Sequence, residues 1–369
     1  MTDDRTVKMD HIKHLQCVIC GKTYTPDEVA YICPEHGNEG ILDVVYDYDL
    51  IGQHISRASL AQNRDMSIWR YRLLLPIEAD AETPPLAVGW TPMYDAPRLA
   101  EKLGLQQVWV KDDGRNPTAS FKDRASALAV VKAKEREAAS GERAIITTAS
   151  TGNAAAALAG LCASVEQPTV IFVPEAAPPA KIAQLLVFGA RVMLVKGTYD
   201  DAFDLCLEAA AEYGWYNRNT AYNPYMTEGK NTAAYEICEQ LNWDAPDVIF
   251  VSVGDGCIIG GIHKGLKDLL ALGWIDKMPR IIGVQAAGSS FLYDAWKHGE
   301  DVLTKPPITA HTVADSISAG LPRDRVKAMT AVTHTHGAFV QVSDAEILAA
   351  IPALARGAGV FAEPAGAAA

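Results

Sequence analysis

Between residues 144 and 213 short β-branched runs alternate with alanine-rich helical segments, and few architectures accommodate that alternation. Ala144-Ile-Ile-Thr-Thr148 reads as a strand, 154–163 as a helix and Pro168-Thr-Val-Ile-Phe-Val173 as a strand. A helix over 180–188, a strand at Arg191-Val-Met-Leu-Val195 and a helix over 202–213 follow. Strands that are apolar on both faces and joined by helices of this length form a parallel sheet. A second set comprises a strand at 247–253, a helix over about 259–270, a strand at 280–285 and a helix within 343–356. The expected fold is α/β, with two parallel-sheet domains and a small N-terminal module. Residues 1–50 form the module, 107–215 the smaller domain, and 51–106 with 216–369 the larger. A chain of 369 residues, 49% of them hydrophobic, is long enough for two such cores. Ala367–Ala369 read as the middle of a helix, so further C-terminal sequence is expected.

The module carries Cys17-Val-Ile-Cys20-Gly and Cys33-Pro-Glu-His36-Gly. Two ligand pairs at this spacing close a tetrahedral zinc site, so Cys17, Cys20, Cys33 and His36 are expected to form a zinc-ribbon-like structural centre. A net charge of -12 disfavours nucleic acid as a partner, because phosphate binding needs a basic face. The N-terminus lacks the apolar core of a secretory signal. The longest uncharged run, 144–165, holds Thr, Ser, Asn and Gly and changes pattern midway, so it does not read as a membrane span. Seven cysteines argue against a disulfide framework. A cytoplasmic enzyme, homodimeric by default, with a small-molecule substrate is expected.

Three stretches carry chemistry. In Lys111–Arg124 a strand ends, the chain turns through Gly114, Asn116 and Pro117, and a helix begins with Ser120 as N-cap. Lys122 then sits in the first turn, where the helix dipole disfavours a permanent cation, and such an amine is suited to attack a carbonyl. Thr148-Ala-Ser-Thr-Gly-Asn153 again lies between strand and helix, where exposed N–H groups bind carboxylate or phosphate. Val253-Gly-Asp-Gly-Cys-Ile-Ile-Gly-Gly-Ile262 lets several N–H groups converge on one anion. It lacks the Gly-Lys-Ser/Thr of a nucleotide phosphate loop and is one residue too long for a dinucleotide fingerprint.

Ser120-Phe-Lys-Asp-Arg124, Ser150-Thr-Gly-Asn153 and Gly254-Asp-Gly-Cys-Ile258, in that order, resemble the tryptophan-synthase-β-like (fold type II) pyridoxal phosphate enzymes, and among them the threonine synthases. Thr91-Pro-Met, Asn223-Pro, Glu228-Gly-Lys-Asn-Thr232, Ala314-Asp-Ser-Ile-Ser-Ala-Gly320 and Phe361-Ala-Glu-Pro-Ala-Gly366 extend the resemblance over most of the chain. It implies pyridoxal 5'-phosphate held covalently by Lys122, which also moves protons. Asn153 would bond the cofactor's 3-hydroxyl, and Gly254, Asp255, Gly256, Cys257 and Ile258 would cradle its phosphate. Ser150 and Thr151 would take the substrate carboxylate, and Lys230 would also contact substrate.

The implied reaction converts O-phospho-L-homoserine and water to L-threonine and phosphate. The alternatives are cysteate synthase and a threonine or serine ammonia-lyase. A zinc-ribbon adaptor with a non-catalytic body is the reading from another class.

Two departures stand out. The family's phosphate-gripping arginine after Asn-Pro is replaced by Met226, leaving Lys230 or Arg218 as substitutes, or a substrate without phosphate. The hydroxyl that serves the pyridine nitrogen would lie beyond Ala369. Other residues read as structural: Cys162, Cys206 and Cys238 as core, His334 and His336 as solvent-facing, Asp123 and Arg124 as local ion pairs, and Glu363 as a helix N-terminal acid.

Overall fold

The computed structural model describes residues 11–369. The N-terminal module is antiparallel, with β1 (Ile12–Cys17) between β2 (Thr23–Tyr24) and β3 (Leu42–Tyr46). Alternate residues Leu15 and Cys17, and Leu42, Val44 and Tyr46, point inward and are buried. Two short helices follow, α1 (Tyr48–His54) and α2 (Arg57–Gln62), capped by the Asp47 and Ser56 side chains. β4 (Met93–Asp95) pairs antiparallel with β5 (Trp109–Lys111). Between them α3 (Pro97–Leu103) starts on proline and stops at Gly104, whose φ of +67° suits a residue without a Cβ.

After α4 (Asp123–Ser140) the alternation expected from the sequence unfolds in order. β6 (Ile146–Ala149), α5 (Asn153–Ala163), β7 (Thr169–Pro174), α6 (Pro179–Val187), β8 (Arg191–Val195), α7 (Tyr199–Glu212) and β9 (Tyr216–Asn217) build one sheet. Its strand order is β8-β7-β6-β9 and every pairing is parallel. The second parallel sheet has the order β10-β11-β12. It is built from α8 (Tyr225–Gln240), β10 (Val248–Ser252), α9 (Cys257–Ala271), β11 (Arg280–Ala286), α10 (Phe291–His298), α11 (Arg325–His334), β12 (Ala338–Val342), α12 (Asp344–Ala358) and α13 (Pro364–Ala367). Among the described residues no helix is long and apolar enough to cross a membrane.

The sequence reading places no element between Tyr213 and Asp247, yet α8 there is buried on every side from Tyr225 to Cys238. Thr227, Glu228, Lys230, Asn231, Thr232 and Glu236 are all among its buried residues. A helix with polar groups all round shows no apolar stripe, which is the usual sequence signal. It is buried because α4, α9 and the N-terminal module cover it and supply partners. Tyr46 donates to Glu228 at 2.7 Å, Asn231 donates to Glu228 at 2.9 Å, and Tyr235 donates to Asp268 at 2.6 Å. α8 and α9 run parallel and close together. A Cβ on Gly261 would lie 2.7 Å from Lys230 Cβ, and one on Gly265 would lie 2.5 Å from the Asn231 carbonyl.

The module docks on this pair and on α11 through Tyr48 to Asp268 at 2.6 Å, Lys327 to Asp43 at 2.7 Å, and an Arg325–Glu39 ion pair. Cys162, Cys206 and Cys238 are buried and His334 and His336 exposed, as expected.

Candidate active site

Lys122 is placed by a strained turn. Ala119 has φ +57°, a conformation that costs about 1–3 kcal/mol for a residue with a Cβ. The Ser120 hydroxyl accepts the Lys122 N–H at 3.1 Å. Lys122 itself occupies the cap position of α4, with φ -68° and ψ -16°. This corrects the expectation that Ser120 caps the helix and that Lys122 lies inside its first turn. The amine makes no hydrogen bond or ion pair among the described residues. Burial lowers its pKa; Glu363 opposes this, Arg218 adds to it, and Cys257 and Asp255 pull the other way. A side chain so placed favours the neutral, nucleophilic amine.

Arg124, two residues on, forms no merely local ion pair, contrary to the sequence expectation. It is fully buried, bonds Asp113 through Nε at 2.7 Å, and grips Glu236 of α8 with 2.5 and 2.8 Å contacts. Lys111 reaches the same carboxylate at 2.6 Å, and the Thr91 hydroxyl donates to Asp113 at 2.6 Å. The Thr91-Pro-Met stretch, β5 and α8 are thereby tied to the helix that presents Lys122. Asp123 is engaged locally, but by hydrogen bonds and not by the expected ion pair: among the described residues it accepts from Thr118 N–H at 2.8 Å and its hydroxyl at 2.5 Å.

The glycine-rich stretch lies between β10 and α9. The helix begins at Cys257, earlier than the expected Ile259, so Cys257 and Ile258 belong to its first turn. Gly254 and Gly256 form the approach. A Cβ on Gly254 would lie 2.8 Å from Ile317 Cα; one on Gly256, which has φ +91°, would lie 2.7 Å from the Asp324 carbonyl. The backbone therefore stays bare at a helix N-terminus, the arrangement in which N–H groups can receive an anion. Asp255 and Cys257 both act electrostatically on the Lys122 amine, so the lysine and the cradle share one site.

The third stretch forms the cleft wall. The Ser150 hydroxyl accepts the Gly152 N–H at 3.2 Å, and Asn153 opens α5. Asn153 Nδ2 donates to Glu363 at 2.9 Å and to Ser316 at 3.4 Å. Thr151, Gly152 and Asn153 line a cleft whose opposite side is Asp315, Ser316 and Glu363. Glu363 is therefore more than a helix N-terminal acid, since it faces both Asn153 and the Lys122 amine. Lys181–Asp315, at 2.5 Å, and Arg323–Asp200 join the two sides of the cleft.

Lys230 is buried, and its amine donates to the Met226 carbonyl at 3.0 Å. Arg218 is fully buried with Nη2 unpartnered. The sequence marked Arg218 only as a substitute cation, and nothing in the local pattern marked Ser316 or Asp324 beyond the stretch containing Ser316.

The four module ligands are separate from this cleft. The ligand atoms of Cys17, Cys20, Cys33 and His36 all lie within 4.8 Å of one another. Such a cluster of thiols and an imidazole fits one tetrahedral zinc ion.

An unpaired amine beside a bare-backbone anion cradle fits a phosphorylated aldehyde cofactor. The family model described as pyridoxal-phosphate dependent enzyme matches residues 85–369. The chain belongs to this family. Two curated relatives match along almost all of this member: the threonine synthase of Methanocaldococcus jannaschii, 38% identical over 354 residues, and that of Methanosarcina acetivorans, 39% identical over 356. They cover 95% and 96% of this chain, which in turn spans 84% of each relative.

Among solved structures, diaminopropionate ammonia lyase from Escherichia coli aligns with TM-score 0.64 at 20% identity, covering 85% of this chain and 80% of that one. Threonine deaminase isoform 2 from Solanum lycopersicum aligns with TM-score 0.62 at 24% identity, covering 76% and 72%. At that identity these neighbours speak for the shared architecture alone. In such an enzyme Gly254→Ala, whose new methyl meets Ile317 backbone, is expected to weaken cofactor affinity by about 10-fold or more while leaving Lys122 reactive. Fluorescence titration of the cofactor-free protein with pyridoxal phosphate measures it.

Proposed function

We propose that the protein is a threonine synthase, converting O-phospho-L-homoserine and water to L-threonine and phosphate. The observation that carries this reading is the unpaired Lys122 amine beside the 254–258 cradle, in a chain 38–39% identical to threonine synthases over nearly its whole length. Bound pyridoxal phosphate supplies an electron sink for negative charge developing at the amino acid's α-carbon. Lys122 would hold the cofactor and, with its pKa lowered by burial, take the proton from that carbon. Gly254, Asp255, Gly256, Cys257 and Ile258 hold the phosphate tail through backbone N–H groups. Asn153, steadied by Glu363, orients the ring from the 3-hydroxyl side. Ser150 and Thr151 receive the substrate carboxylate beside the N-terminus of α5, and Lys230 contacts the substrate. Closure of the cleft through Lys181–Asp315 and Arg323–Asp200 excludes water from the reacting carbons.

In the same reading 1–50 is an accessory module, 107–215 the small domain, and 51–106 with 216–369 the large one, with α4 as the seam against α8. The enzyme works as a cytoplasmic homodimer.

Product analysis decides between this and neighbouring chemistries. Threonine and phosphate formed from O-phosphohomoserine support it. Release of 2-oxobutanoate from threonine, or cysteate from phosphoserine and sulfite, with no threonine made from phosphohomoserine, rules it out.

Cys17, Cys20, Cys33 and His36 hold a structural zinc in this reading. Elemental analysis is expected to find one zinc per chain, and Cys33→Ser to lose it and lower the thermal midpoint. A metal-free protein of unchanged stability would refute it.

A further inference from the structure

Arg218 and Lys230 are buried cations with no counterion among the described residues; Arg218 precedes α8 by seven positions and Lys230 lies in its second turn. Arg218 is 0% exposed; Nε donates to Ser126 at 3.2 Å, Nη1 to Thr220 at 2.9 Å, and Nη2 has no partner. Among the described residues no carboxylate pairs with it. Lys230 is 2% exposed, and among the described residues its amine bonds the Met226 carbonyl alone, at 3.0 Å. An ammonium has three donors, so two remain free. α8 and α9 are parallel, with Lys230 against Gly261, so their positive ends at Tyr225 and Cys257 open toward the same side.

Position 226 is where the family resemblance calls for an arginine on the substrate phosphate. Here Met226 is fully buried and packs in the main core. Lys230 is one turn further along the same face of α8, and its amine returns to the carbonyl of residue 226 itself. The charge missing at 226 is thus supplied from 230 at the same place on the helix. Arg218, from the end of β9, brings the forked guanidinium that a phosphate takes bidentately.

The groups facing these cations are Lys122, Asp123, Tyr199, Asp255, Cys257 and Asp324. Burial raises the pKa of the acidic ones, which weakens their hold on the two cations. Burial also holds Lys230 down to about 8 and Arg218 to about 10, the response of cations that lack an anion. The glycine cradle already serves the cofactor's phosphate, so these side chains remain for a second one.

We propose that Arg218 and Lys230 bind the phosphoryl group of the substrate, taking the place of the arginine that position 226 lacks. This deepens the threonine synthase reading and rests on it for the identity of the phosphate ester.

The test uses the cofactor-loaded enzyme and the variants K230M, R218M and R218K. Inorganic phosphate binding is measured by calorimetry, KM and kcat with O-phosphohomoserine, and cofactor affinity by fluorescence titration. K230M and R218M are each expected to weaken phosphate binding and raise KM by about 100-fold, the effect of removing one buried charged partner. Cofactor affinity and visible absorbance stay unchanged, and R218K recovers part of the loss. If cofactor affinity falls while phosphate binding holds, the pair serves the cofactor's tail and the proposal is overturned. It is equally overturned if neither constant moves. R218M removes two structural hydrogen bonds; should it not fold, K230M decides alone. An enzyme that makes no threonine but loses phosphate binding in K230M keeps this inference and discards the substrate reading. The reverse pattern, threonine made with KM and phosphate binding unaltered in the variants, discards only the inference.

Discussion

Lys122→Ala is expected to abolish turnover, with kcat reduced by about 10⁴-fold or more. The substitution removes both the covalent anchor of the cofactor and the base that works on the α-carbon. The structure gives no substitute within the site. Lys230 is engaged by the Met226 carbonyl, and Arg218 remains charged at neutral pH. The wild-type protein, mixed with pyridoxal phosphate and treated with borohydride, should yield one reduced adduct on the peptide containing residue 122, and the alanine variant none. Cofactor still binds the variant through the 254–258 cradle, so fluorescence titration should find weakened but measurable affinity. Undiminished threonine formation by the variant would remove the basis of the functional reading.

Arg124→Met is expected to destabilise the fold by about 3–5 kcal/mol, the usual consequence of leaving buried charge unpaired. Asp113 and Glu236 lose their common partner, and Lys111 and the Thr91 N–H remain on Glu236. Urea unfolding followed by circular dichroism measures the loss; a change under about 1 kcal/mol would place the network among the marginal ion pairs.

The same network predicts an acid limit. Burial by itself would raise the Glu236 pKa, but Arg124 and Lys111 outweigh it and hold the carboxyl at about 2. In an unfolded chain it titrates near about 4.3. Its contribution is therefore complete above about pH 4.3 and is lost as the pH falls from there through about 2. The stability difference between wild type and Glu236→Gln should shrink across that window.

Much of this was legible in the chain because local rules and tertiary structure agree. β8 runs over the residues its β-branched pattern marked, α3 stops at the glycine that marked its end, and the cysteines and histidine at 17, 20, 33 and 36 come together as their spacing required. Lys122 and the glycine stretch, with 132 residues between Lys122 and Gly254, were paired by the family resemblance of their motifs, and the fold brings them together although β5 belongs to an antiparallel pair and β10 to a separate parallel sheet.

What the sequence by itself determined was the alternation of strands and helices and the chemical identity of the groups at the junctions, since both follow from neighbours a few residues apart. Only the tertiary structure decided that α8 is central, that Arg124 pairs with a glutamate 112 positions away, that Glu363 crosses the cleft to Asn153, and that Arg218 is left with an unanswered donor. The physical reason is desolvation. A polar side chain carries the same letters whether it faces water or the core, and the partner that makes its burial tolerable comes from a distant segment that no local pattern names.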